Sequence, residues 1–192
     1  MNQILEWLSV GDLRSDGMAD EVSTAVLQSP ELFDDLCAGL SEPDDIIRGH
    51  TADAIEKIAR SRPDLIIEHL QELVTLARND PVPMVKMHLA MTFGHLALYE
   101  EQIDTLRSAL LDLLDDESVF TKSWAIASLC IIGRIYPQYN QSIVNRISQL
   151  QRDSSIAIRS RTGKALNILT NPSASFPKGW IKSEHIYALV DK

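Results

Sequence analysis

Three histidines are the first residues in this chain whose type and spacing could do chemistry. His50 and His88 stand 38 residues apart at equivalent points of a repeated pattern, and His95 follows one helical stretch later. Neighbouring helices pack about 8–10 Å apart, close enough for two such imidazoles to reach one ion. No cysteine or carboxylate pair at metal-ligand spacing joins them, so no metal site is assigned. Neither Cys130 nor any serine stands in a nucleophile motif, and the eight glycines form no phosphate-cradling loop. Nothing selects a catalytic acid or base, so neither an enzyme activity nor a cofactor is expected. The remaining charged chemistry is periodic. Arg48, Lys86, Lys122 and Arg159 each follow an acid by six residues: Glu42, Asp80, Asp116 and Asp153. Such pairs predict charge-assisted hydrogen bonds between neighbouring turns, a structural role rather than phosphate binding.

The elements that must position these groups are repeats. From cation to cation the steps are 38, 36 and 37 residues. Seven residues after each cation come Ile55, Phe93, Leu129 and Leu166, and ten after come Ile58, Leu96, Ile132 and Leu169. Matched columns at one period near 37 residues predict a repeat architecture. Apolar residues recur at helical spacing throughout, Pro30, Pro43, Pro63, Pro81, Pro83 and Pro137 mark turns or first helical positions, and the connections are short. No segment alternates apolar and polar residues well enough to read as a strand. The expected fold is all-α: a right-handed α-solenoid of four to five antiparallel helix pairs. Residues 1–170 form the array, with 1–29 a degenerate cap and repeats near 30–62, 63–99, 100–136 and 137–170. Residues 171–192 form a linker and capping segment, whose Phe176 and Trp180 could alternatively dock on a neighbouring subunit.

With the pattern laid out, the chain resembles the HEAT repeat family. Ile47-Arg48, Val85-Lys86 and Ile158-Arg159 match that family's hydrophobic-plus-cation pair, while Thr121-Lys122 departs from it. Ala52, Ala54, Ala90, Ala125 and Ala165 match its small positions. The resemblance covers about residues 30–170. It implies a scaffold or binding surface whose second helices line a concave face, and it carries no particular activity. Two HEAT-like enzyme relatives supply alternatives. The alkylpurine DNA glycosylases have a basic, aromatic-bearing concave face, to which Trp124, Arg134, Arg161 and Lys164 would correspond, and the bilin lyases share the repeat.

The net charge of −9 is unevenly spread. Residues 1–120 hold 8 Lys/Arg against 24 Asp/Glu, and residues 121–192 hold 10 against 3. An acidic first half argues against nucleic acid, whose binders need a basic stripe along the whole array. No apolar run reaches the roughly 18 residues of a membrane span. The opening M-N-Q-I-L-E-W-L-S-V has no basic leader, and Cys37 and Cys130 sit in apolar helical patterns. A cytoplasmic protein with free buried thiols is expected.

Helical geometry then selects the face of each second helix turned away from the core. It predicts a groove with Met87, His88, Met91, His95, Trp124 and Ile131 at its apolar centre and Arg161 and Lys164 at a basic end. Methionine, tryptophan and arginine are common interface residues. The expected role is a non-catalytic module that binds a peptide or amphipathic helix of another protein.

Overall fold

The computed structural model describes residues 3–190, and among them the chain is entirely helical, with no strand. The helices are α1 (Gln3–Leu8), α2 (Ala19–Gln28), α3 (Phe33–Cys37), α4 (Asp45–Ala59), α5 (Pro63–Ile67), α6 (Leu70–Asn79), α7 (Pro83–His95), α8 (Ile103–Asp112), α9 (Val119–Ile135), α10 (Pro137–Ser148), α11 (Ile156–Thr170) and α12 (Glu184–Val190). Proline opens α5, α7 and α10 at the first turn, where its missing N–H would have had no partner. Side-chain caps open α4, α9 and α11: Asp44 accepts from the Ile46 amide, Ser118 from Thr121 and Ser155 from Ile158. No helix of the described residues is long and apolar enough to cross a membrane.

The four cation-bearing helices form one layer. Helix α4 packs on α7, α7 on α9 and α9 on α11, while α6, α8 and α10 back α7, α9 and α11. Parts of the backing layer are segmented. The stretch from Pro63 breaks between α5 and α6, and 3₁₀ turns flank α3 and α8. The apolar columns face the interface between layers: Ile55, Phe93, Leu129, Ile58, Leu96 and Ile132 are all fully buried. Leu166, at the same column of α11, is only half-buried.

The expected charge ladder between neighbouring turns is present. The first three cations reach forward to the acid of the next turn. Arg48 Nε donates to Asp80 Oδ2 at 3.0 Å, Lys86 Nζ to Asp116 Oδ2 at 2.9 Å and Lys122 Nζ to Asp153 Oδ2 at 2.6 Å. The other oxygen of each acid holds its own turn. Asp80, Asp116 and Asp153 accept from the amides of Val82, Ser118 and Ser155 at 2.7, 2.8 and 2.8 Å. The six-residue spacing survives only in backbone form: Arg48 donates to the Glu42 carbonyl at 2.8 Å and Arg159 to the Asp153 carbonyl at 2.7 Å.

Residues 171–192 were expected to form a linker and capping segment, of which 191 and 192 lie outside the described residues. Residues 171–190 turn back as a strap over α9 and α11. Arg134 of α9 anchors the turn by donating to the carbonyls of Pro172, Ile168 and Ala174 at 3.0, 2.8 and 3.0 Å. Beyond it, α12 packs against α9 and the turn at residues 96–98, burying Ile186 and Val190. At the other end, His50 ties down the loop after α1. Its Nδ1 lies 2.8 Å from the Leu8 carbonyl, and its Nε2 lies 3.1 and 3.0 Å from those of Asp12 and Ser15. Gly17, at φ +52°, lets this loop pass, since a Cβ there would lie 2.6 Å from the His50 ring.

Candidate functional site

The eight residues expected to line an open groove meet different fates. Met87 is half-buried and His88 buried, both at the edge of a surface cleft. Met91, His95 and Ile131 are buried. Trp124 and Arg161 are partly covered, and Lys164 alone is fully exposed. The apolar centre predicted around Met91 and Trp124 is therefore not an open surface. Two causes are visible: the layer is apolar around more of its helices than one stripe, with Ala127 and Cys130 fully buried, and the strap lies over Trp124.

Between α4 and α7 the layer holds a polar cluster instead. Asp53, Glu56, His88 and His95 are all buried. His95 Nε2 lies 2.9 Å from Glu56 Oε1, and Arg60 grips the same carboxylate through Nε at 3.0 and 3.1 Å and through Nη2. Burial alone would raise the Glu56 carboxyl, but the His95 and Arg60 hydrogen bonds outweigh it and hold it down at about 2. Lys57 Nζ sits 3.2 Å from Asp53 Oδ2 and 2.6 Å from Asp20 Oδ1. His88 Nδ1 approaches Asp53 Oδ1 at 3.3 Å without hydrogen-bond geometry, and burial lowers the pKa of its imidazole.

One ligand atom each from Asp53, Glu56 and His88 lies within 4.8 Å of the others, so carboxylates do join a histidine here. His50, the sequence-level partner of His88, does not, since its ring is turned to the loop carbonyls. The donor set nonetheless fits an ion poorly. Lys57 neutralises Asp53 and Arg60 neutralises Glu56, and a metal would have to displace both. The cluster is a closed network of acid, base and imidazole, with the strap residue Lys182 close enough to influence both Glu56 and His88.

At the junction of α9, α11 and the strap, Arg161 lies between two indoles. Its guanidinium carbon is 5.0 Å from the Trp124 ring centroid and 4.3 Å from that of Trp180, and Lys182 Nζ is 5.1 Å from Trp124. Cation–π stacking of this kind fastens the strap to the layer. The sequence shows the tryptophans and cations; it does not show that residues 180 and 182 return to meet residues 124 and 161.

The remaining feature is open. A cleft of about 630 Å³ lies where the loop after α1 meets the first turns of α7 and α9. Leu13, Met84, Met87 and Phe120 wall it, and Asp53 and His88 stand on its polar side. Phe120 is 70 % exposed and Leu13 38 % exposed. Met84 and Phe120 share a column two residues before their cations, with Ile46 ahead of them. Reading that column would have found half of this wall; Leu13 has no periodic signal. Compared with known proteins, the chain matches no family model and no curated relative.

Proposed function

We propose that this protein is a non-catalytic binding module, a HEAT-like right-handed α-solenoid of four to five helix pairs that engages an apolar, basic segment of another protein. Stacking of α4, α7, α9 and α11 in chain order, with a cation-to-acid rung between successive turns, supports the solenoid reading. The observation that carries the binding reading is Phe120, exposed at the mouth of a cleft walled by Leu13, Met84 and Met87. A large apolar side chain grouped with others at the surface marks a contact site. Every residue lining the cleft lies within residues 1–120, which carry 24 acids against 8 cations, and this surplus favours a partner that pairs apolar side chains with lysine or arginine. Free buried Cys37 and Cys130 suit a reducing cytoplasm.

The test is a fluorescently labelled amphipathic helix of leucine and lysine, titrated against the wild type and Phe120→Ser with Met87→Ser. Binding should weaken at least about tenfold in the double variant, as expected on losing the central apolar contacts. Equal affinity for an acidic counterpart of the peptide, or no effect of the substitutions, would sink this reading. A salt-dependent shift with single-stranded or duplex DNA would replace it with the nucleic-acid alternative.

A further inference from the structure

Arg161 is the least satisfied charged group of the cation-bearing layer. Its Nε and Nη2 are sealed from solvent and have no hydrogen-bond partner. None of the ion pairs among the described residues includes Arg161, Lys182 or Lys164. Arg161 and Lys182 both approach the Trp124 ring, at 5.0 and 5.1 Å, so the two cations are no more than about 10 Å apart. Burial depresses both, Arg161 to about 10, and Glu56 offsets only part of the effect on Lys182. Buried donors in folded proteins are nearly always paired, and an orphaned guanidinium calls for a specific explanation. Stacking on indoles satisfies the faces of a guanidinium and leaves its in-plane N–H groups without acceptors.

We propose that Arg161 and Lys182, framed by Trp124 and Trp180, form a binding site for an oxyanion of the phosphate class. The guanidinium fork matches two oxygens of such an anion, and the Lys182 ammonium supplies a second, mobile charge. Lys164, exposed one turn further along α11, stands at the rim. Entry requires the strap to give way above the guanidinium edge. Gly179, directly before Trp180, has φ +84° and open space at its Cβ position, and is the joint at which it does so. The site draws on none of the residues of the apolar cleft, so the two readings stand or fall separately. A carboxylate offers the same two-oxygen edge with less charge, and is the other source of this chemistry.

The experiment titrates the full chain with inorganic phosphate, sodium acetate and sodium chloride at matched ionic strength, reading tryptophan fluorescence. Two of the chain's three tryptophans contact Arg161, so occupancy should move the signal. Phosphate should give a saturable change, at least about tenfold weaker in Arg161→Gln and in Lys182→Gln. Arg146→Gln, on α10 and paired with Asp115, should match the wild type. Lys182 is the less buried of the two and lies outside the cation-bearing helices, so its variant decides the matter if Arg161→Gln loses its fold. Saturation by acetate at equal or lower concentration overturns the phosphate assignment. A response that tracks ionic strength alike in all three salts, or identical binding by the variants, overturns the site.

Discussion

Glu56 is a fully buried carboxylate kept ionised by two neighbours, His95 and Arg60. Its folded pKa, about 2, lies below the ordinary value of 4.5. The unfolded chain therefore binds the extra proton first as pH falls. The stabilisation is complete above about pH 4.5 and is lost as pH falls towards 2. The gap corresponds to roughly 3 kcal/mol. Urea melts at pH 7 and pH 3 should show about 2 kcal/mol of this loss, and Glu56→Gln should flatten the profile between them. His88 adds to the acid side. Burial lowers its pKa below 6.5, so the unfolded state gains its proton first and stability declines as pH drops through that value. The two cysteines are quieter: burial first, and the nearby Glu72 and Asp34 charges second, push Cys37 up to about 12, and burial also raises Cys130. Neither thiol should react with a thiol-exchange reagent at pH 8 until denaturant is added.

At the scale of elements, α7 approaches α9 closely at Gly94. A Cβ there would lie 2.6 Å from Ser128 Oγ, which donates to the Ala90 carbonyl at 2.7 Å. Intrinsic helix propensity favours alanine over glycine by about 1 kcal/mol, yet Gly94→Ala should lower the melting temperature. Adding Ser128→Ala should recover part of that loss; no recovery would place the strain elsewhere. Phe93, next to it and fully buried, should cost about 3–5 kcal/mol as alanine. These helices were legible because one stripe of each, Ile55, Phe93 and Leu129 in turn, is apolar at a fixed period. The ladder between neighbouring turns was legible from the periodic acids and cations, while the direction of each rung was not. The turn geometry spends Asp80 on Val82 and Arg48, leaving Lys86 to Asp116.

Over the whole molecule, the strap decides what the cation-bearing layer presents. Its return was not legible, because Trp180 and Lys182 meet Trp124 and Arg161 across long stretches of chain with no periodic relation to them. The cleft depends equally on a loop, through Leu13, and on Phe120. Ending the chain after Asn171 removes the acceptors Pro172 and Ala174 from Arg134 and uncovers Trp124. Such a truncation should raise binding of a hydrophobic dye and lower the melting temperature, while far-UV circular dichroism loses only the contribution of α12. Unchanged dye binding would mean the strap covers nothing that matters to packing.

The rungs between turns also set how this architecture can change length. Each acid clips its own turn with one oxygen and receives the preceding cation with the other, so a turn carries both halves of its coupling within a segment of about one period. Arg159, after the last rung, spends its guanidinium on the carbonyls of Asp153 and Ser154. A duplicated segment such as 81–116 would arrive with one acid to accept and one cation to donate, and would leave every existing rung intact. Growth by insertion is thus electrostatically self-contained, and the limit on it comes from side-chain fit between successive helices, as at Gly94 and Ser128.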